Sequence, residues 1–193
     1  MPETTATLLS RRLAEAQAAY AALGAEFLAV VEQAAEMALK TLRAGGGIFL
    51  AGNGGSAADA QHWAAELVGR YLKDRAPLDV QALTVNSSAV TALVNDYPPE
   101  ALFERQVRAH AKAGDLFVAI STSGRSENIL RAARAARELG ARVLGVTGRD
   151  GGALAPLCDL AVCAPSRDTP RIQEVHLLFG HLWCELIENG VSG

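Results

Sequence analysis

A three-layer αβα sandwich around a central parallel sheet of five strands is the fold this sequence predicts. Three observations carry the prediction. Short and almost wholly apolar runs recur, among them Leu116-Phe117-Val118-Ala119-Ile120 and Val143-Leu144-Gly145-Val146, as strands do when both faces of a sheet are covered. Segments of helical period stand between these runs, so strand and helix alternate as in parallel α/β folds. Two of the runs leave into turns rich in glycine and serine, which is how such folds bring backbone N–H groups to a polar ligand.

The elements follow in chain order. Leu8, Leu9, Leu13, Ala16 and Tyr20 recur at helical spacing, and Phe27, Val30, Val31, Ala34, Ala38 and Leu42 do so again. Gly24 separates these two helices, and Gly45-Gly46-Gly47 stops the second. Together they carry more apolar surface than one face of a small sheet needs, which points to an oligomer built through them. Strands are expected at 47–51, 80–85, 115–120, 142–146 and 159–163, and helices at 56–71, 87–95, 101–113, 126–139 and 170–189. Pro170 fits the first position of the last helix, with Thr169 as its N-cap. The tail after Glu188 is expected to fray.

Composition excludes several classes of function. At 193 residues, half of them hydrophobic, the chain can bury one sizeable core. A net charge of −3 with no long run of one sign is unlike the basic stripe of a nucleic-acid binder. No apolar segment is long enough to span a membrane, and none at the N-terminus reads as a secretory signal. Cys158, Cys163 and Cys184 are odd in number and lack metal-finger spacing, so they are expected to be buried free thiols in a reducing cytoplasm.

The two turns suggest the ligand. Gly52-x-Gly54-x-x-Ala57 partly matches a dinucleotide fingerprint. That fingerprint asks for an acidic residue at the end of the next strand, and Leu83-Thr84-Val85-Asn86 supplies none. Asn53 and Ser56 instead offer an amide and a hydroxyl suited to sugar hydroxyls. Ser121, Thr122, Ser123 and Ser126 place four hydroxyls at a helix N-terminus, where free N–H groups and a partial positive charge suit phosphate. Capping that helix would use only one or two of them. A phosphorylated, polyhydroxylated small molecule is the guest these turns describe.

Two helices add titratable groups. His62 and Glu66 are four apart and share a face at the polar margin of Trp63, Leu67 and Val68, just beyond the first turn. In the last helix Gln173 and Glu174 precede His181 by eight and seven residues, and spacing does not choose between them as its partner. His176 points away from His181.

Gly52-Asn53-Gly54-Gly55-Ser56, His62 and Glu66, Asn95-Asp96, Ser121-Thr122-Ser123-Gly124-x-Ser126, and Arg171-Ile172-Gln173-Glu174-x-His176 to His181 together resemble the bacterial phosphoheptose isomerases of the sugar-isomerase (SIS) superfamily. The resemblance covers roughly residues 25 to 189. It implies a flavodoxin-like SIS domain at 45–193, with N-terminal helices at 1–44 that belong to the same domain and serve oligomerisation. It implies conversion of D-sedoheptulose 7-phosphate to D-glycero-D-manno-heptose 7-phosphate through an enediol(ate), early in the route to nucleotide-activated heptose. It also implies a cytoplasmic homotetramer with sites between subunits and one zinc per subunit. Carried over, the zinc ligands are His62, Glu66, Gln173 and His181. The substrate contacts are Asn53, Gly54, Gly55, Ser56, Glu66, Asn95, Asp96 and Gln173, with Ser121, Thr122, Ser123 and Ser126 on the phosphate. Glu66 and His181 are the acid/base pair, and a carboxylate with an imidazole spans the pKa range this chemistry needs.

Two other readings share the fold. A tetrameric adaptor of the same superfamily binds the bacterial replication initiator, and Ser56-Ala57-Ala58-x-Ala60-Gln61-His62 reads similarly to it. That adaptor lacks the carboxylate corresponding to Glu66 and the histidine corresponding to His181, and this chain has both. A sugar-phosphate sensor would keep the hydroxyls without a working acid/base pair. One departure from the isomerases stands before the last helix, where some members have an Asp next to the Arg. Here Pro170 occupies that place, which leaves Asp168 or Thr169 for any substrate contact from that loop.

Overall fold

The computed structural model describes residues 3–191. Its strands are β1 (Ile48–Ala51), β2 (Val80–Ala82), β3 (Leu116–Ser121), β4 (Arg142–Gly148) and β5 (Leu160–Ala164). All pair in parallel, in the order β2-β1-β3-β4-β5. The helices are α1 (Thr5–Ala21), α2 (Ala25–Arg43), α3 (Gly55–Val68), α4 (Ser87–Asp96), α5 (Leu102–His110), α6 (Glu127–Glu138) and α7 (Thr169–Val191). The predicted αβα sandwich with five parallel strands is what forms.

Strand alternation sorts the core into two layers. Ile48, Leu50, Leu116, Val118, Leu144 and Val146 meet Ala34 and Ala38 of α2, Trp63 and Leu67 of α3, and Phe179 and Trp183 of α7. Phe49, Ala51, Phe117, Ala119 and Val143 meet Phe103 and Val107 of α5 and Ile129 and Ala133 of α6. So α3 and α6, which leave the two glycine-rich turns, lie on opposite faces of the sheet.

Several boundaries differ from expectation. Helix α3 stops at Val68 rather than 71, because Gly69 takes the C-cap. Strand β2 ends at Ala82, although Leu83 still donates its N–H to the Leu50 carbonyl at 2.8 Å. Helix α5 follows a short 3₁₀ turn at Pro99–Ala101 and ends where Ala111 turns extended. Thr169 is not an N-cap: it is the first residue of α7, and the Asp168 carbonyl accepts from Ile172 N–H at 3.0 Å. Nor does α7 fray after Glu188. Val175, Phe179, Trp183 and Ile187 form a buried stripe at four-residue steps, and Arg43 Nη2 donates to the Gly190 carbonyl at 2.7 Å.

The cysteines are free, but only Cys184 is buried, while Cys158 and Cys163 are half-buried at the β5 edge of the sheet. Burial pushes the Cys158 thiol up to about 12, so it is not a nucleophile at neutral pH. Among the described residues no helix is long and apolar enough to cross a membrane.

Gly180 decides how closely α7 approaches α3. A Cβ there would overlap the Trp63 indole, which packs edge-to-face on Phe179 at 5.6 Å. The Trp183 ring stands behind it at 6.2 Å and donates to the Ala34 carbonyl at 3.1 Å, so Trp63 has no room to retreat. Gly180→Ala is expected to cost about 2–3 kcal/mol through overpacking. Thermal unfolding should register it as a fall of about 5–10 °C.

Candidate active site

The strand order reverses between β1 and β3. The chain leaves β1 for α3 on one face and leaves β3 for α6 on the other. Splayed exits of this kind open a crevice at the C-terminal ends of the strands, where open parallel sheets bind their ligands. Both glycine- and serine-rich turns sit at this crevice.

Across it Asn53 and Asn128 exchange two amide hydrogen bonds, at 3.0 and 2.8 Å. Asn128 lies in the first turn of α6, and its neighbourhood to Asn53 was not visible in the sequence because 75 positions separate them. Gly54 has φ +55°, a left-handed conformation that favours glycine. At Gly55 a Cβ would overlap the side-chain amide of Gln173, so this glycine admits α7 over the turn.

That packing separates Gln173 from Glu174. Gln173 reaches the turn. Glu174 faces α1: its Oε2 accepts from Arg171 Nε at 2.7 Å, and its carbonyl accepts from the Tyr20 hydroxyl at 3.2 Å.

In the second turn Ser121 and Ser126 share a hydroxyl–hydroxyl hydrogen bond at 3.0 Å. Ser126 occupies the N-cap of α6, yet its side chain makes no capping bond. The Ser123 hydroxyl accepts from Arg125 N–H at 3.2 Å. Thr122, between them, is half-exposed. The first-turn N–H groups of α6 therefore keep no side-chain acceptor from Ser126, an arrangement that can accept an anion.

The close α3–α7 approach brings the titratable residues together. His62 Nε2 and Glu66 Oε1 are 3.2 Å apart. The His181 ring stands edge-on to His62, with centroids 5.2 Å apart. Asn95 and Asp96 lie at the end of α4, a helix with no buried residue, and bond each other at 2.7 Å. Ser56, one residue into α3, is buried, and its N–H bonds the Asn53 carbonyl at 3.0 Å.

The SIS domain family matches residues 13–148. A phosphoheptose isomerase of Rhodospirillum rubrum is 54% identical over 161 residues, covering 83% of this chain and 86% of that one. One from Burkholderia pseudomallei is 47% identical over 189 residues, covering 97% and 96%. The chain belongs to the phosphoheptose isomerases of the SIS domain family.

Solved structures agree. The phosphoheptose isomerase of Francisella tularensis superposes with a TM-score of 0.93 at 32% identity, covering 97% of this chain and all of that one. That of Neisseria gonorrhoeae gives 0.87 at 41% identity, covering 96% and all of it. Membership makes this chain an enzyme, so the adaptor and sensor readings fall away.

The donor types near α3 suit zinc. His62 Nε2 and Glu66 Oε1 stand close to the separation of about 3.4 Å between neighbouring donors on a tetrahedral zinc. Among the described residues, however, no three of His, Cys, Asp or Glu close into a metal-binding group. A second carboxylate, Asp59, lies one turn before His62 and was missed by the sequence reading. Its Oδ2 is buried without a hydrogen-bond partner, and burial pushes its pKa up to about 6 while His62 pulls it down. The signal was its i−3 spacing from His62 on one helical face.

His176 is the structural histidine of α7. It is fully buried, its Nε2 is 2.9 Å from the Thr147 carbonyl, and burial depresses its pKa to about 4. Between pH 6.5 and 4 the unfolded chain therefore binds the proton that the folded chain refuses. Stability from this residue is fully present above pH 6.5 and is lost as pH falls toward 4, by about 3 kcal/mol in all. Asp59, whose folded pKa is raised, acts with the opposite sign in part of that window. His176→Gln isolates the histidine. Its melting temperature relative to the native chain should rise as pH is lowered from 7.5 to 4.5, and a pH-independent difference would rule this out.

Proposed function

We propose that this enzyme interconverts D-sedoheptulose 7-phosphate and D-glycero-D-manno-heptose 7-phosphate through an enediol(ate), an early step toward nucleotide-activated heptose. The features that support the reading are a hydroxyl-lined turn at the N-terminus of α6, suited to an anion, and a carboxylate and imidazole brought together between α3 and α7. Ser121, Thr122, Ser123 and Ser126 hold the phosphate. Asn53, Gly54, Gly55, Ser56, Asn95, Asp96 and Gln173 contact the sugar.

Moving the carbonyl between adjacent carbons requires a proton to be taken from one carbon and returned to its neighbour, and a proton to be moved from one oxygen to the other. Glu66 takes the first role and His181 the second. His62, at hydrogen-bond distance, holds the Glu66 carboxylate in place. His62, Glu66, Gln173 and His181 would hold a zinc ion, which when bound supplies Lewis-acid polarisation of the substrate oxygens. The enzyme works in the cytoplasm as a homotetramer with sites between subunits. Supporting the assembly, Leu9, Leu13 and Leu28 of α1 and α2 are each more than half exposed.

The test is a proton NMR time course with sedoheptulose 7-phosphate, with and without chelator and added zinc. An aldoheptose 7-phosphate should accumulate. No turnover under any metal condition, with the sugar phosphate still bound, would overturn the reading. The phosphate assignment has its own test. Ser121→Ala with Ser123→Ala should raise KM about tenfold or more, because hydrogen bonds to a charged phosphate are lost, and should leave kcat within about threefold. An unchanged KM would remove these residues from the phosphate site.

A further inference from the structure

Between α3 and β2 the chain runs from Gly69 to Asp79 without regular structure, and one buried side chain ties it down. Glu188 of α7 is 1% exposed. Its carboxylate accepts from the backbone N–H groups of Tyr71 at 2.8 Å, Leu72 at 2.7 Å and Lys73 at 2.9 Å. Arg75 Nε stands 3.6 Å away. Burial pushes the Glu188 pKa up, but the three N–H donors and Arg75 outweigh it and hold the carboxyl below its ordinary value.

A buried charged pair is a poor source of stability, because its desolvation offsets most of its attraction. What such a pair supplies is a fixed geometry. Here the geometry is imposed on two residues of the proposed site. The Tyr71 ring lies against His181, with centroids 6.1 Å apart and planes tilted by 36°. His62 flanks His181 as well, so the imidazole is held between two rings. Arg75 Nη2 donates to the backbone carbonyl of Glu66 at 2.8 Å, and Nη1 donates to those of Gly69 at 3.1 Å and Ala76 at 3.0 Å. The last turn of α3, which carries Glu66, is thereby tied to the same strap.

We propose that Glu188 is a positioning residue for the isomerisation: it fixes the 70–75 strap so that Tyr71 holds the His181 ring and Arg75 holds the turn carrying Glu66. The proposal rests on the reading of Glu66 and His181 as the acid/base pair. Catalytic groups must be held to a fraction of an ångström, and a small misplacement costs rate without costing substrate affinity.

The experiment compares Tyr71→Leu, Tyr71→Phe and Glu188→Gln in the full chain. Each is measured for kcat, KM, thermal unfolding and the histidine-ring NMR spectrum, with the His181 signal assigned by its loss in His181→Gln. Tyr71→Leu should lower kcat by about tenfold to a hundredfold with KM within about twofold. It should also move the His181 resonance, because a ring-current source is removed. Tyr71→Phe, which keeps the ring, should restore most of kcat and return the resonance. Glu188→Gln should reproduce Tyr71→Leu, and if it does not fold, Tyr71→Leu decides alone. Native kcat with an unmoved His181 resonance in Tyr71→Leu overturns the proposal. So does an equal loss in Tyr71→Phe, which would assign the effect to the phenol hydroxyl. Failure of the acid/base reading shows separately, as full kcat in His181→Gln.

Discussion

Glu66→Gln is expected to fold and bind the sugar phosphate as the native chain does, and to lose turnover. The substitution is nearly isosteric, and a glutamine carbonyl can still accept a hydrogen bond from His62, which sits 3.2 Å from Oε1. Glu66 is only partly buried, so its loss of charge leaves no orphan in the core. The melting temperature should stay within about 2 °C. What disappears is the group proposed to take a carbon-bound proton. An amide does not do this near neutrality, so kcat should fall by about 10²- to 10⁴-fold with KM little changed. A single-turnover assay alongside steady-state rates separates chemistry from release. Full activity in this variant would remove Glu66 from the role of general base.

His181→Gln carries the second large effect, and its signature differs. His181 is half-buried between the rings of His62 and Tyr71. Glutamine fills part of that space but neither takes nor gives a proton at neutral pH, so kcat should fall by about 10²- to 10³-fold. Any metal held by the site should bind more weakly, which isothermal titration with zinc would detect without turnover. If Glu66 and His181 serve one proton-transfer sequence, Glu66→Gln with His181→Gln should be little worse than the poorer single variant. Multiplicative losses would instead place the two residues in independent roles.

The fold was legible because its cause is local. Apolar runs such as Leu116–Ile120 and the helical stripe of α2 state their own period, and glycine states where each ends. Two of the misjudged boundaries are set in part by partners. Residues 70 and 71 read as helix, but Gly69 and the three N–H bonds to Glu188 take that stretch out of α3. The C-terminal turn of α7 read as frayed, but it packs under α2. The site was partly legible. Four hydroxyls in six residues, or His62 and Glu66 one helical turn apart, are patterns on a single element. Gln173 against Glu174 was not decidable from spacing, because both share the face of His181. The contact of Gln173 with the Gly55 turn, on another element, is what tells the two apart.

The sequence by itself determined the αβα class, the five parallel strands, the two glycine- and serine-rich turns and the residue types of the proposed acid/base pair. Each of these is written in periodicity or in short-range chemistry. Only the tertiary structure decided that Asn53 meets Asn128, that His181 stands between His62 and Tyr71, and that Glu188 holds the strap beneath it. The reason is physical. The last two meetings depend on how closely α7 settles on α3, and that distance is set by the absence of a side chain at Gly180 opposite Trp63. No pattern along either helix alone encodes it.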